Sequence, residues 1–241
     1  MSQTSITEAV SSNMEISIIS TSPEFNLEDP IWAINWFDLK SKWLYDFYNL
    51  LAFPHVNAVG ARPFFKGRLI KKLEGELHHQ REMLLIVNYP SPSGFLSMLK
   101  STVFQLKSIV RVLSVKVFNF GFMRRLDDGE APSQNPNKYL GKLVYLIHHM
   151  SGEIQQSALT DLKEYAVSYD IFTHFIGVKS HLIGRREPND KLKTAPFHMD
   201  CLVVLGAFEE EQFHSLINSP FYQELLKSSK SNYLGLYSRE L

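Results

Sequence analysis

The sequence predicts an α+β protein in which one β-α-β-β-α-β module occurs twice in tandem. Two observations favour this class. The predicted order of strands and helices restarts after residue 139, and the phrase FLSMLKSTVFQ (95–105) recurs as FHSLINSPFYQ (213–223). Aligning 84–105 with 202–223 needs no gap and leaves five of 22 positions identical. A phrase that recurs at the same point of two matching element orders indicates a duplicated module.

In the first half, apolar periodicity predicts four strands and two helices. Ser91 and Pro92 are typical of a helix start, and Phe95, Met98 and Leu99 then form its buried stripe. The predicted elements are a strand at 31–37, a helix at 40–53, a broken strand at 54–70, a strand at 81–89, a helix at 91–101 and a strand at 112–124.

In the second half, the same order returns with one additional helix. Ile154, Leu159, Leu162 and Ala166 are expected to point inward from the first helix of this half. The predicted elements are a strand at 142–150, a helix at 151–169, strands at 171–186 and 197–208, helices at 209–219 and 220–229, and a strand at 232–240.

The domain boundaries follow from composition. The stretch RLDDGEAPSQNPNKY (125–139) is rich in Asp, Gly, Pro, Asn and Ser, which is typical of a linker. The first 22 residues hold ten Ser or Thr and are interpreted as a loose or partner-docked tail. We therefore expect a flexible tail at 1–27, ferredoxin-like domains at 28–126 and 140–241, and a linker at 127–139.

A ferredoxin-like sheet carries its helices on one face only, so its other face needs cover if it is apolar. Two such antiparallel sheets can pack face to face as an α/β-barrel. The space between them is a natural cavity for a small molecule.

The repeated helix region with S-P-F-Y-Q (219–223) resembles the dimeric α/β-barrel superfamily, and within it small uncharacterised bacterial domains that carry a similar helix. The first half departs from this motif, with Thr102 and Val103 in place of Pro220 and Phe221. The resemblance implies tandem ferredoxin-like domains. It also implies the activities found in that superfamily, namely cofactor-free monooxygenases, cyclases and isomerases, and haem proteins.

Histidines are the main candidates for catalysis. His148 and His149 are neighbours on a strand, so one is expected to face the helices and the other the space between the sheets. A histidine in that space could act as a general base or bind haem, because its ordinary pKa lies near 6.5. The alternative is a histidine satisfied by a structural hydrogen bond. Their counterparts in the first half are Asn35 and Trp36, which we expect in a substrate site.

His198 and Asp200 lie two residues apart and share one face of a predicted strand. A carboxylate beside an imidazole can orient it and support its protonated form. The first-half counterparts are Gln80 and Glu82, so the acid recurs and the histidine does not. The alternative is a solvated start of the strand.

Tyrosines are the other candidates for contact with a substrate. Tyr145 shares a face with His149, and Tyr233 and Tyr237 share a face of the last strand. Their hydroxyls could bind a carbonyl or a phenol, with Tyr145 and Tyr237 expected to bind the substrate, although tyrosines are more often core residues.

Composition excludes several classes of function. Lys plus Arg and Asp plus Glu are balanced at 25 each, which argues against binding to nucleic acid or to an anionic membrane. A single cysteine, Cys201, fits a cytoplasmic protein and is expected to be a buried packing residue. The motifs of zinc proteases, P-loops, dinucleotide-binding folds and nucleophile elbows are absent from the sequence.

The leading hypothesis is a cofactor-independent enzyme that acts on an apolar, carbonyl- or phenol-bearing small molecule. Oxygenation, cyclisation and isomerisation are the reactions that the resemblance implies. A haem protein of chlorite-dismutase-like architecture is one alternative, with His174 and His181 as candidate ligands. A non-catalytic binding or assembly protein is another. A homodimer is compatible with all three.

Overall fold

The computed structural model describes residues 5–11, 14–19, 29–75, 81–126, 143–152, 154–179, 182–185 and 200–240. The chain forms two compact units, and each unit takes in segments from both halves of the sequence. The first unit comprises residues 1–66, 81–124 and 180–195, and the second comprises 67–80, 125–179 and 196–241. The boundaries predicted at 126 and 140 stay a prediction, because residues 127–142 lie outside the described ones.

The elements up to residue 125 follow the predicted order, with a short strand pair before them. They are β1 (Ser5–Ser11), β2 (Met14–Ile19), β3 (Ile31–Leu39), α1 (Lys42–Ala58), β4 (Arg62–Glu74), β5 (Met83–Tyr89), α2 (Pro92–Lys100), α3 (Thr102–Ser114) and β6 (Val115–Arg125).

The elements after residue 143 follow an order similar to that from β3 to β6, with β9 as an additional strand. They are β7 (Val144–Ser151), α4 (Gln156–Val167), β8 (Phe172–Lys179), β9 (Leu182–Arg185), β10 (Cys201–Ala207), α5 (Glu210–Ile217), α6 (Pro220–Ser228) and β11 (Ser231–Arg239).

The sheet of the first unit has the strand order β4-β5-β3-β6, in which β3 pairs antiparallel with both of its neighbours. Helices α1, α2 and α3 supply the apolar core on one face of this sheet. Phe95, Met98 and Leu99 of α2 are buried in it, as the sequence predicted. A separate three-stranded sheet, β1-β2-β9, also belongs to this unit, and the sequence analysis assigned no strand to its first two members.

The sheet of the second unit has the order β8-β10-β7-β11, and β11 pairs antiparallel with the later residues of β4. Leu159, Leu162 and Ala166 of α4 are fully buried on the helix face of this sheet, as predicted. Ile154 packs against the same core but lies before the helix and only partly buried. The predicted α+β class with antiparallel sheets is thereby confirmed.

The repeated phrase forms the same helix-turn-helix in both units. Ser101 and Ser219 each cap the helix that follows, by accepting the backbone N–H of the residue three positions on. Gln105 and Gln223 each donate from Nε2 to a main-chain carbonyl six residues earlier. The identical letters therefore correspond to identical hydrogen bonds.

Three predicted elements differ from the structure. The first half has a second helix, α3, where the sequence analysis left residues 102–111 unassigned. Helix α1 continues through Pro54, which lies at an exposed position, and ends at Ala58. The strand predicted at 171–186 is described as two strands, β8 and β9.

The cap at Ser219 provides a test of the repeated motif. Its hydroxyl accepts from the Tyr222 N–H at 3.3 Å and donates to the Leu216 carbonyl at 2.6 Å, and the residue is buried. We expect Ser219→Ala to lower the free energy of unfolding by about 1–2 kcal/mol, measured by urea denaturation. Ser215→Ala, which removes an exposed hydroxyl from the middle of α5, is the control and should change stability by less than about 0.5 kcal/mol. Equal effects of the two substitutions would contradict this role of the cap.

Candidate functional site

Strand β7 places His148 and His149 on opposite faces of the second unit's sheet. His148 lies opposite Val203 and Leu234, which belong to the helix-covered core. His149 lies opposite Leu202 and Tyr233, which are fully buried and lie outside that core cluster. The alternation expected from the strand thus separates the two candidates.

His148 is the centre of a buried chain of hydrogen bonds on the helix face. The Tyr222 hydroxyl, on α6, lies 2.7 Å from Nδ1, and the Asn232 Oδ1, at the start of β11, lies 2.9 Å from Nε2. The Asn232 amide nitrogen in turn donates to the Leu226 carbonyl at 2.8 Å, which fixes the orientation of the amide. His148 therefore carries its proton on Nε2 and accepts on Nδ1.

Burial keeps the His148 imidazole and the Tyr222 phenol uncharged. It lowers the pKa of His148 from 6.5 to about 4, against the smaller raising effect of its hydrogen bond to Asn232. It also raises the pKa of Tyr222, so that the phenol remains a donor. With both ring nitrogens engaged, His148 has the geometry of a structural histidine, which is the alternative that the sequence left open.

Asp200 and its first-half counterpart Glu82 each accept a hydrogen bond from a backbone N–H at or just beyond the end of a neighbouring strand. The Asp200 carboxylate accepts the Gly152 N–H at 2.9 Å, just beyond β7, and lies 3.3 Å from the Lys179 ammonium. Glu82 accepts the Leu39 N–H at 3.2 Å, at the end of β3. The recurrence of the acid thus matches a recurring structural contact. His198, its proposed partner, lies outside the described residues.

The other face of the second unit's sheet brings together polar aromatic groups, and we call it the tyrosine face: Tyr145, His149, Tyr233 and Tyr237. Tyr145 and Tyr237 are direct cross-strand partners on β7 and β11, and Tyr233 is the partner of His149. All four side chains are at most 3% exposed. Two of the predicted substrate residues are therefore neighbours, and one predicted catalytic histidine shares their face.

A glycine allows the two tyrosines of β11 to converge. Their hydroxyl oxygens are 3.4 Å apart, although the residues are four positions apart along the strand. A Cβ added to Gly235, which lies between them, would be 2.9 Å from the Tyr233 hydroxyl and 3.0 Å from the Tyr237 ring. The missing side chain thus leaves room for both phenols to lie over the strand.

The border of the tyrosine face is aromatic and cationic. The His174 ring packs edge-on against Tyr145, with centroids 5.5 Å apart, and Phe172 lies over Gly206 where a Cβ would collide with its ring. Burial, with the nearby charges of Arg239 and Arg125, lowers the pKa of His174 from 6.5 to about 3. At neutral pH the positive charge along this border comes from the two arginines and not from the imidazole.

Asn35 and Trp36 lie on β3 in the first unit and occupy opposite faces of its sheet. The Asn35 amide is directed towards the carbonyls of Ala33 and Leu85, at 3.4 and 3.3 Å. Trp36 is fully buried between Leu84 and Asn119 on the neighbouring strands. Their predicted role in binding a substrate stays a prediction.

Cys201 begins β10 and is buried in the helix-face core, as expected of a packing residue. Burial, followed by the charge of Asp200, raises the pKa of its thiol from 9.0 to about 12. The thiolate that nucleophilic chemistry requires is therefore scarce at neutral pH.

Tyr222 and Asn232 are hydrogen-bond partners of His148 that the sequence analysis did not nominate. The signal was present in the internal alignment. Where the first half has Asn35 and Phe104, the second half has His148 and Tyr222. Asn35 and His148 are both polar, so the polar group that is new in the second repeat is the Tyr222 hydroxyl, and a buried hydroxyl needs a partner such as His148.

No protein-family model and no curated protein matches the chain. Among solved structures, it is similar to a proposed monooxygenase from Lactobacillus acidophilus NCFM, with 10% identity and a TM-score of 0.50, over 89% of this chain and 95% of that one. It is also similar to a chlorite dismutase from Candidatus Nitrospira defluvii, with 10% identity and a TM-score of 0.49, over 87% and 90%. A protein of unknown function from Rhodopseudomonas palustris matches 42% of this chain and 85% of its own length, with 20% identity and a TM-score of 0.40.

The likeness to the Lactobacillus protein shows that the two chains share an α+β fold with antiparallel sheets. Identities of this size carry no information on activity, because one fold hosts many unrelated functions. Within the described ranges, no three His, Cys, Asp or Glu side chains are grouped as metal ligands, and no helix is both long and apolar enough to cross a lipid bilayer.

The lowered pKa of His148 predicts a pH-dependent stability. Between about pH 6.5 and pH 4 the unfolded chain binds a proton at this residue that the folded chain does not, so stability falls as the pH is lowered through that window. The full contribution is about 3 kcal/mol. We expect His148→Gln to be less stable than the natural protein at neutral pH but to lose less stability on acidification, measured by urea denaturation at a series of pH values.

The control for this prediction is Ser215→Ala, on the exposed side of α5, which removes no titratable group. This variant should keep the pH dependence of the natural protein. A slope that is the same in the natural protein and in His148→Gln would show that the folded state protonates His148 as readily as the unfolded chain does.

Proposed function

We propose that the chain is a cofactor-independent enzyme that binds an apolar, carbonyl- or phenol-bearing small molecule at the tyrosine face. The single observation that carries this proposal is the convergence of the Tyr233 and Tyr237 hydroxyls on a buried sheet face that also holds His149 and Tyr145. The matching hydrogen bonds of the repeated helix region support two ferredoxin-like modules that arose by duplication. Similarity in fold to the Lactobacillus protein agrees with this proposal.

In this proposal the phenols act as a pair of hydrogen-bond donors to one substrate oxygen. The two hydroxyls are hydrogen-bonded to each other in this structure, and in the proposal a substrate oxygen replaces that bond and accepts one proton from each phenol. Burial strengthens such bonds, since the local dielectric is low. As a carbonyl becomes an enolate, the charge that develops on its oxygen is stabilised by these donors.

His149 is assigned the role of the general base. It removes a proton from the carbon next to the carbonyl, the electron pair of the broken C–H bond moves towards the oxygen, and an enolate results. That one intermediate connects the three reaction classes. The enolate can reduce O₂ in an oxygenation, attack an internal electrophile in a cyclisation, or take the proton back at another carbon in an isomerisation.

A suitable probe is 1,8-dihydroxyanthrone, which carries phenols, a ketone and an acidic CH₂ group in one apolar molecule. Its oxidation by O₂ to the anthraquinone releases water and needs no further reductant. We expect the purified protein to accelerate O₂ uptake above the spontaneous rate. His149→Gln should lower the enzymatic rate about 100-fold, and Tyr237→Phe about tenfold.

Tyr222→Phe is the matched control, because it removes an equally buried phenol from the opposite face of the same sheet. It should leave the rate within about twofold once the folded fraction is accounted for. Gly235→Ala should reduce the rate without removing any polar group, since its Cβ would displace the Tyr233 hydroxyl. A protein that neither binds nor turns over the probe, or that does so equally well in all four variants, would rule out the tyrosine face as the site.

Haem binding is the alternative, and one observation favours it. The lowered pKa of His174 keeps its imidazole neutral, which is the form that coordinates iron. His181, the other candidate ligand, lies outside the described residues. We expect no Soret shift when haem is titrated into the protein, because the rings of Tyr145 and Phe172 already pack edge-on against His174. A shift that His174→Ala abolishes would favour the haem alternative instead.

A further inference from the structure

The outer side of the helix pair α1 and α3 is apolar, in contrast to the rest of the described surface. Eight of the eleven exposed large hydrophobic residues lie on these two helices. We call this surface the apolar helix face, and its members are Trp43, Phe47, Leu50, Phe53, Val103, Leu106, Ile109 and Leu113. Trp43 and Leu50 are more than 70% exposed.

Contacts between the two helices make this face continuous. The Lys107 ammonium donates to the Leu51 carbonyl at 3.1 Å, and the Arg111 guanidinium lies 5.9 Å from the centre of the Tyr48 ring. The earlier residue of α1, Tyr48, contacts the later residue of α3, Arg111, and the later residue Leu51 contacts the earlier Lys107. The two helices therefore pack antiparallel. Their outward stripes therefore run side by side.

Each stripe has the spacing of an amphipathic helix that is turned outward. Trp43, Phe47 and Leu50 are spaced i, i+4 and i+7, and Leu106, Ile109 and Leu113 are spaced i, i+3 and i+7. The inward positions of α1 are filled by Tyr45, Tyr48 and Ala52. Helix α1 thus has apolar residues on two sides, although only one side is needed for its own core.

The second unit provides an internal comparison. The exposed positions of its first helix, α4, are occupied by Gln, Ser, Thr, Asp, Lys and Glu, with Val167 as the one exposed large apolar residue on that helix. Exposed positions of α5 and α6 likewise carry Glu, His, Ser and Lys. A helix layer of this kind can therefore be built with a polar outer side, and the fold does not require the apolar helix face.

We propose that the apolar helix face is the contact surface of a homodimer, in which it packs against the same face of a second copy of this chain. With about 150–250 Å² on an aromatic side chain and about the lower value on an aliphatic one, eight side chains that are on average more than half exposed present roughly 700–900 Å². Single proteins rarely expose a patch beyond about 300–600 Å², whereas a stable interface buries about 800 Å² on each partner. The area therefore matches what one copy contributes to a dimer.

The charges at the border of this face fit a second copy better than a membrane. Lys42 and Asp46 form an ion pair of 2.6 Å beside Trp43 and Phe47, and Lys66 lies 4.0 Å from the same carboxylate. A border of both signs is self-complementary across a twofold axis. Binding to a lipid surface usually depends on a surplus of basic residues that are free to meet it, and the other two cations of these helices contact α1 instead, as described above.

The test is sedimentation velocity of the full chain at micromolar concentrations. We expect a mass twice that of one chain. The double variant Leu50→Asp/Leu106→Asp should be monomeric at the same concentrations, with unchanged circular dichroism, because both residues are exposed within one chain. Val167→Asp is the matched control, since it puts the same charge on an exposed apolar position of the second unit, and it should remain dimeric.

Trp43 offers a second readout that does not depend on a charged substitution. Its emission should shift to longer wavelength on dilution as the dimer dissociates, and Trp43→Phe should abolish that shift. A monomer at all concentrations would overturn the proposal, as would a dimer that the double variant leaves intact. A monomer that co-sediments with phosphatidylcholine vesicles containing one quarter phosphatidylglycerol would overturn it in favour of a membrane surface.

Discussion

Strand β7 is buried on both faces, and this constraint shapes the second unit. A polar side chain on such a strand cannot reach water, so without a hydrogen-bond partner inside the protein it would destabilise the folded state. His148 has two hydrogen-bond partners, Tyr222 and Asn232, which link α6 and β11 to β7. The neighbouring histidine points the other way, among tyrosines. Of these two adjacent histidines, His148 is therefore a structural residue and His149 a candidate for catalysis.

Burial of the sheet on both faces also explains two glycines of this unit, because large side chains on a buried face need space. Gly206 and Gly235 lie on the strands beside β7. The Phe172 ring occupies the space of a Cβ at Gly206, and the Tyr233 hydroxyl and the Tyr237 ring lie close to that space at Gly235. The sheet therefore uses glycine where a ring must lie flat against the backbone. At Gly235 this arrangement brings two phenol oxygens together, which an alternating strand alone would hold two pleats apart.

Much of the architecture could be predicted from the sequence, because periodicity and the repeated phrase are local signals. The strands and helices of the second half, and the buried stripe of α2, follow from them. Helix α3 was missed although Leu106, Ile109 and Leu113 have helical spacing, because that apolar stripe lies on the exposed side and does not mark a buried core. The candidate site was harder to predict. Periodicity separates the two faces of a strand, but the pairing of Tyr145 with Tyr237 depends on strand register, and the bond from Tyr222 to His148 spans 74 residues.

The chain's one thiol, Cys201, has a practical consequence for experiments. Because it is buried and its pKa is raised, it should not react in the folded protein with alkylating reagents that attack thiolates. A cysteine introduced at an exposed position would then be the sole reactive one. The natural chain is therefore already suited to attaching a single spectroscopic label, with no need to replace a residue of its core.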